Sequence, residues 1–151
     1  MFETVKTFTD FPCTHRQWRH KGHCRFVHGY SRGFTFWFQS RELDINQFVV
    51  DFSDLKDLRA RLKQQFDHTF LVSQDDPLLH HWQQLDKLGA IDLRIMTNVG
   101  MEASAQLIWT WANEIIWAHH HGRVCCWRTE SRENEKNAAL FSCIPEWFVK
   151  D

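Results

Sequence analysis

The chain has 151 residues, of which 43% are apolar, and 18 Lys and Arg against 19 Asp and Glu give a formal net charge of −1. These values predict one globular domain over residues 1–151. The chain lacks the excess of basic residues that is typical of a dedicated nucleic-acid or membrane-surface binder. No apolar run approaches the roughly 20 residues that cross a bilayer, and residues 1–10 do not resemble a signal peptide, so we expect a cytoplasmic protein. Five cysteines, two of them adjacent, favour reduced thiols over a disulfide framework.

The first half of the chain predicts three strands and a helix. Residues 1–9 and 33–40 have the alternation and aromatic content of strands, and 47–52 has the composition of a hairpin partner for the second. Ser53 is a good helix N-cap. The apolar residues after it recur every three or four positions, which predicts a helix of about three turns; they are Leu55, Leu58, Leu62 and Phe66.

The second half predicts two helices and three strands. In order, these are a short helix between Pro77 and Gly89, a strand over 91–96, a long buried helix over 101–121, and a strand pair over 123–129 and 138–144. Strands joined by hairpins, with helices between them, predict an α+β domain in which helices cover one face of an antiparallel sheet.

The segment from Cys13 to Tyr30 holds four His and two Cys within eighteen residues. Imidazole and thiolate are ligands that zinc prefers, so this density predicts a metal site. The segment has no Cys-x-x-Cys pair, which argues against a structural zinc finger and favours a catalytic site with an open position. The alternative is a surface loop of solvated histidines.

Six short motifs occur in order between Phe11 and Phe141. They are Phe11-x3-His15, Cys24-x3-His28-Gly29, Asp51-Phe52-x2-Leu55-Lys56, Asp67-His68-x2-Leu71, Asn98-x3-Glu102-x2-Ala105 and Glu133-x5-Ala139-x-Phe141. Together they resemble the 6-pyruvoyl-tetrahydropterin synthase and 6-carboxy-tetrahydropterin synthase family. The resemblance implies the tunnelling fold, with a four-stranded antiparallel sheet and helices on one face, and assembly into trimers that pair as hexamers. The aromatic run over 34–38, which we interpret as apolar on both faces of one strand, fits such an assembly.

The resemblance also implies a reaction. Family members bind 7,8-dihydroneopterin triphosphate at a zinc ion and eliminate triphosphate. We expect the product to be 6-carboxy-5,6,7,8-tetrahydropterin, a queuosine precursor, with 6-pyruvoyl-tetrahydropterin as the alternative. Two other classes of function stay open, a pterin-binding homologue without turnover and an unrelated zinc hydrolase.

Three groups of site residues follow from the motif positions. Coordination to zinc acidifies a hydroxyl and stabilises developing negative charge, and a carboxylate can accept paired hydrogen bonds from the edge of a pterin ring. The resemblance assigns His15 and His28 as zinc ligands, Cys24, Asp67 and His68 as catalytic residues, and Glu102 and Glu133 as pterin anchors.

The third metal ligand is the point at which the sequence departs from the family. The family has a His-Gly-His motif, and this chain has Tyr30 at the second histidine. A phenol is a poorer ligand than imidazole, so three outcomes are open: His20 or His23 replaces the ligand, Tyr30 coordinates as a phenolate, or the metal is lost. Because the other motif residues are retained, we predict that zinc is bound by His15, His28 and a third group.

Overall fold

The computed structural model describes residues 1–149, in which a single sheet lies at the centre of the fold. Its strands are β1 (Phe2–His15), β2 (His28–Ser40), β3 (Thr69–Ser73), β4 (Leu93–Met96), β5 (Val124–Arg132) and β6 (Ala138–Ser142), in the spatial order β4-β3-β1-β2-β5-β6. The helices are α1 (Lys56–Phe66), α2 (Leu79–Lys87), α3 (Met101–His120) and α4 (Glu146–Val149). Within this part of the chain, no helix combines the length and apolarity needed to cross a membrane.

The sheet is larger than the four-stranded one that the resemblance implies, and it is mixed. The pairs β1–β2, β2–β5 and β5–β6 are antiparallel, whereas β1–β3 and β3–β4 are parallel. The expected four-stranded antiparallel sheet is therefore wrong, because the described chain contributes six strands. Strand β3 lacks the alternation that would reveal it, since Thr69, Phe70, Leu71 and Val72 are all buried. Burial on both faces is typical of a parallel strand.

The expected strand over 47–52 is also wrong. The Asp44 carboxylate accepts hydrogen bonds from the backbone N–H groups of Asn46 and Phe48 at 2.8 and 2.9 Å, and Gln47 has a φ of 68°. These contacts close a turn instead of extending a strand. The edges of β2 are already occupied by β1 and β5, so a further hairpin partner has no position beside it.

The two principal helices agree with the sequence pattern. Leu58, Leu62 and Phe66 of α1 are fully buried, and the Phe66 ring lies 4.6 Å from that of Phe34 on β2. Helix α3 buries a broad apolar face as predicted, and it packs mainly against β5. Both helices therefore lie on the same face of the sheet, which is the inner face.

The inner face of β2 is a single row of alternate residues. Phe34, Phe36 and Phe38 are fully buried, and Trp37 points to the opposite face, where it is half-buried beneath the Arg128 guanidinium. The aromatic run therefore places three phenylalanines on the inner face, which the helices of the same chain cover, and Trp37 on the outer face. The same alternation continues toward the start of β2, where the next residue of the row is Arg32. The row therefore changes there from apolar to polar.

A β-bulge decides which side chains of β1 join that face. The pairing with β2 shifts between Phe8 and Phe11, and Asp10 has a φ of 72°. The extra residue changes which alternate positions face inward, because side chains follow a two-residue period in a strand. After the bulge the buried positions are Phe11, Cys13 and His15.

Candidate active site

The two predicted histidine ligands are neighbours across β1 and β2. His15 pairs with His28 in the strand register, and their ring centroids are 4.6 Å apart. Tyr30 lies two residues further along the same face, with its ring centroid 5.9 Å from that of His28. The structure therefore brings the side chains of His15, His28 and Tyr30 together on one face of the sheet.

A buried arginine makes contact with His15 from the core side. Arg32 is fully buried, and its Nη2 lies 3.2 Å from His15 Nδ1, while its Nη1 donates to Ser104 Oγ of α3 at 3.2 Å. A guanidinium can only donate, so His15 Nδ1 must accept and the ring proton is on Nε2. The Arg32 Nε is buried and has no partner among residues 1–149.

The other side of the His15 ring faces a carboxylate. Oε1 of Glu133 lies 3.8 Å from His15 Nε2, which is longer than a hydrogen bond. The Glu133 side chain is 13% exposed, so its oxygens can still accept bonds from a ligand. Burial raises the pKa of the neighbouring Cys13 thiol, an effect that Arg32 opposes and Glu133 reinforces.

His15 is electrically neutral in this setting. Burial lowers its pKa to about 3, and the electrostatic effects of Arg32 and of His28 act in the same direction. Protonation of a buried ring beside a guanidinium is unfavourable, because the charged form is desolvated and is repelled by the positive charge of the guanidinium.

His28 has the opposite arrangement of ring nitrogens. Its Nδ1 lies 2.7 Å from the carbonyl oxygen of Phe26 and donates to it. In the neutral His28 ring, Nε2 therefore carries the lone pair. Two adjacent rings thus present different chemistry, with an N–H at His15 Nε2 and a lone pair at His28 Nε2.

Cys24 lies in a short 3-10 turn, His23–Arg25, within the loop between β1 and β2. Its side chain is half-buried. The Cys24 carbonyl accepts a hydrogen bond from the Gln17 N–H at 2.9 Å, which ties the cysteine to a residue two positions after His15. This backbone contact anchors the predicted catalytic cysteine near the end of β1 that carries His15.

Glu102 opens α3 and faces the same loop. A Cβ at Gly100 would lie 3.1 Å from Gln17 Nε2, 3.2 Å from Asn98 Oδ1 and 3.3 Å from Glu102 Oε2, so three polar side chains converge there. The first turn of a helix also favours a carboxylate through its dipole. This arrangement brings one predicted pterin anchor to the loop that carries Cys24.

Asp67 and His68 form a direct pair. His68 Nδ1 lies 2.6 Å from Asp67 Oδ1, which neighbouring residues achieve here because His68 has a left-handed backbone with φ 56°. The His68 side chain is 83% exposed and lines a cavity of about 600 Å³ together with Pro12, Thr14 and Ser31. Those strand positions alternate with Cys13 and His15, so this cavity lies on the outer face of the sheet. Cys13 and Tyr30 also line this cavity, but within residues 1–149 no hydrogen bond joins the side chain of His68 to His15 or His28.

Ion pairs fix the loop between β1 and β2. Arg16 donates to both carboxylate oxygens of the buried Asp76 at 2.7 and 2.8 Å. Trp18 and Arg19 both donate to the neighbouring Asp75. Burial raises the pKa of Asp76, but the bonds from Arg16 and from the Leu78 N–H outweigh it, so the pKa lies below its usual value.

The sequence model of the 6-pyruvoyl tetrahydropterin synthase family matches residues 4–143. The chain belongs to this family. It is similar to the 6-carboxy-5,6,7,8-tetrahydropterin synthases of Rickettsia conorii and Rickettsia typhi, with 31% and 32% identity over 68 residues. That alignment covers 44% of this chain and 49% of each relative, so it spans about half the length of the curated relatives.

Solved structures share the fold of this family member at lower identity. An uncharacterized protein of Wolinella succinogenes aligns with a TM-score of 0.80 at 20% identity, covering 93% of this chain and 97% of the other. The 6-pyruvoyltetrahydropterin synthase of Plasmodium vivax aligns with a TM-score of 0.65 at 15% identity, covering 93% and 98%. The tetrahydropterin synthase fold implied by the motifs is confirmed, with the strand number corrected as above.

The side chains of this family member do not fit the zinc ion that the resemblance implies. Of the two predicted ligands, only His28 offers a free ring nitrogen, because Arg32 occupies Nδ1 of His15 and Nε2 carries the proton. His20 and His23 are exposed, and the His20 ring accepts a bond from the Gly22 N–H. Across residues 1–149, no group of three His, Cys, Asp or Glu side chains is placed to hold a metal ion.

Sequence reasoning missed Arg32 and Ser104. Arg32 lies just before the predicted strand over 33–40, although it shares the two-residue alternation of the buried phenylalanines at 34, 36 and 38. A charged residue in the register of a buried row is itself a signal of a site, since such a group needs polar partners. Ser104 gives no comparable signal, because its role depends on how α3 packs against the sheet.

Proposed function

We propose that this chain is a tetrahydropterin synthase-type lyase that converts 7,8-dihydroneopterin triphosphate to 6-carboxy-5,6,7,8-tetrahydropterin. The observation that carries the proposal is the convergence of the His15–His28 pair, the Glu133 carboxylate and the Cys24 loop at one end of the inner sheet face. The names of the two Rickettsia relatives favour the 6-carboxy product, and the 6-pyruvoyl product is the alternative.

The carboxylates in the site suit a pterin ring. A pterin edge presents a ring N–H beside an amino group, and a carboxylate can accept both hydrogen bonds in parallel. Glu133 has unused acceptor capacity next to His15, and Glu102 lies beside the Cys24 loop. We assign both as pterin anchors, with Cys24 as the base that takes a proton from the side-chain carbon of the substrate.

The Asp67–His68 pair is proposed to act in the site of a neighbouring subunit. His68 faces the outer cavity, so it reaches reacting atoms only where a second copy of the chain presents its own histidine pair there. Half-exposed apolar residues on the two edge strands, Ile95 of β4 and Leu140 of β6, support edge-to-edge assembly. We propose a homo-oligomer, either a trimer or a hexamer, without nucleic-acid or membrane partners, in the cytoplasm.

The proposal includes no step through zinc. In the family that the motifs resemble, the metal would acidify a substrate hydroxyl. His15 and His28 are the residues predicted to bind it, but the contact between Arg32 and His15 leaves one of them without a lone pair for a metal. Reaction steps are therefore assigned only to side chains of this chain.

A second candidate is a pterin-binding homologue without turnover. It is favoured by Tyr30, which stands where the family has its third histidine, and by Arg32, whose contact with Nδ1 engages one of the two predicted metal ligands. In this candidate the carboxylates still bind a pterin, but the elimination of triphosphate does not occur.

Product analysis distinguishes the two. Protein purified without chelator is incubated with 7,8-dihydroneopterin triphosphate, and 6-carboxy product, 6-pyruvoyl product, acetaldehyde and triphosphate are measured by mass spectrometry and enzymatic assay. We expect the 6-carboxy product together with acetaldehyde, and loss of both in Cys24→Ala but not in Cys143→Ala, which removes an exposed thiol remote in sequence. Binding of the substrate without any product would favour the second candidate, and no binding would contradict both.

A further inference from the structure

We propose that the buried Arg32 replaces the metal ion in this chain, so that the His15–His28 site binds a hydroxylated pterin side chain through hydrogen bonds and takes no divalent cation. The identity of the ligand rests on the proposed function. The metal independence of the site does not, because it follows from the contacts of the described residues.

The first step concerns the protons on the two rings. Arg32 has only donors, and its contact with Nδ1 fixes His15 as the Nε2–H form. The Phe26 carbonyl has only lone pairs, and its contact with Nδ1 fixes His28 as the Nδ1–H form. One ring therefore offers a donor and the other an acceptor, and a hydroxyl group can use both at once.

The second step concerns charge. Arg32 is fully buried, and its two hydrogen-bond partners, Ser104 Oγ and His15 Nδ1, are both neutral. The Glu133 carboxylate, on the far side of His15, supplies the opposite charge. The row Arg32–His15–Glu133 is thus balanced as it stands, whereas a divalent cation at His15 would leave a partly buried site strongly positive.

The third step concerns coordination. A ring that binds a metal through Nε2 must carry its proton on Nδ1 and usually donates it to a carbonyl or carboxylate. His28 meets this condition through Phe26, but His15 would direct an N–H toward the guanidinium of Arg32. Replacing Tyr30 by histidine would therefore not be enough to create a metal site, because the obstacle is Arg32.

Cobalt titration tests whether Arg32, and not Tyr30 alone, prevents metal binding. Wild type, Tyr30→His and Tyr30→His/Arg32→Leu are titrated with Co²⁺, whose ligand-field absorption reports protein coordination, and circular dichroism checks that each variant is folded. We expect one equivalent of Co²⁺ in the double variant only. Uptake of a full equivalent by wild type or by Tyr30→His would overturn the proposal, as would a folded double variant that binds none.

Nuclear magnetic resonance tests the protons on the wild-type rings and does not depend on any variant folding well. Long-range proton–nitrogen spectra of protein labelled with ¹⁵N-histidine distinguish the two neutral forms of each ring, with the variants His15→Asn and His28→Asn used for assignment. We expect the Nε2–H form at His15 and the Nδ1–H form at His28. A proton on Nδ1 of His15 would overturn the proposal.

An assay of turnover with and without a chelator distinguishes this inference from the proposed function. If turnover occurs, we expect it to be unchanged after exhaustive treatment with a chelator. Activity that a chelator abolishes and zinc restores would overturn the role of Arg32 and leave the proposed lyase intact. Absence of turnover would count against the lyase, while the cobalt and magnetic resonance results would still decide the metal independence.

Discussion

The Nη2 of Arg32 and the Nδ1 of His15 lie 3.2 Å apart on the inner face of the sheet. This contact determines which nitrogen of His15 carries the proton, and through it what the ring offers to a ligand. It also joins strands β1 and β2 to helix α3, since the same guanidinium donates to Ser104.

The contact predicts different effects for two substitutions of His15. In His15→Asn the amide oxygen occupies a position close to that of Nδ1 and can accept from Arg32, whereas His15→Leu leaves Nη2 buried without an acceptor. We expect His15→Leu to lower the free energy of unfolding by about 2 kcal/mol more than His15→Asn. Urea denaturation at pH 7 measures both. Equal losses in the two variants would show that the bond does not contribute, and His28→Leu, whose ring does not contact Arg32 by hydrogen bond, serves as the control.

The backbone of His68 predicts which replacements this position tolerates. Its φ of 56° is left-handed, a region that asparagine adopts more readily than a β-branched residue. We expect His68→Val to lower the free energy of unfolding by about 1 to 2 kcal/mol relative to His68→Asn. Thermal and urea unfolding check this difference. A valine variant as stable as the asparagine variant would contradict the left-handed conformation.

Separation of His68 from the histidine pair predicts complementation between subunits. Cys24→Ala and His68→Asn should each abolish turnover alone, if the lyase proposal holds. Co-expression of the two variants with different affinity tags, followed by purification through both tags, should recover part of the activity, because some sites then combine an intact Cys24 with an intact His68 from another copy. Doubly tagged oligomers without activity would show that both residues must come from the same chain.

The Arg16–Asp76 pair predicts an acid-dependent loss of stability. The pKa of Asp76 is lowered in the folded chain, so its contribution is fully present above the unfolded value of about 3.9 and is lost as the pH falls through the lower folded value. At pH 7 we expect Asp76→Asn to reduce the free energy of unfolding by about 2 kcal/mol, since the substitution leaves Arg16 partly buried without its anion.

The difference between wild type and Asp76→Asn should then shrink as the pH is lowered below about 3.9. Urea unfolding at several pH values measures it. Asp75→Asn is the matched control, because Asp75 lies in the same segment but is exposed, and its effect at pH 7 should be smaller. A difference that stays constant down to pH 2 would contradict the assignment.

The burial of α1 predicts a large loss of stability when one of its core side chains is shortened. Leu62 is fully buried against the sheet, and Leu62→Ala should cost about 2 to 5 kcal/mol in the free energy of unfolding because it leaves a cavity. Leu88→Ala removes a leucine that is 81% exposed and should change stability by less than about 0.5 kcal/mol. Urea titration compares the two, and similar losses would contradict the position of α1 over the sheet.

Local patterns in the sequence predicted the two main helices and most of the antiparallel strands, and the family resemblance assigned His15 and His28 to one site. These features depend on local periodicity, as in the spacing of Leu58, Leu62 and Phe66, or on motifs whose order matches a known family. The family resemblance also predicts the roles of Cys24, Glu102 and Glu133, of which only Glu102 lies at the end of an element that the local pattern reveals, the helix over 101–121.

Tertiary structure alone decided the strand β3, the orientation of His68 and the role of Arg32. Strand β3 is buried on both faces, which removes the alternation that would mark it. His68 turns to the outer face through a left-handed backbone that residues other than glycine seldom adopt. Arg32 contacts His15 because the bulge at Asp10 brings the His15 side chain to the inner face and because α3 packs over β2. A pattern of neighbouring residues does not reveal either of these long-range contacts.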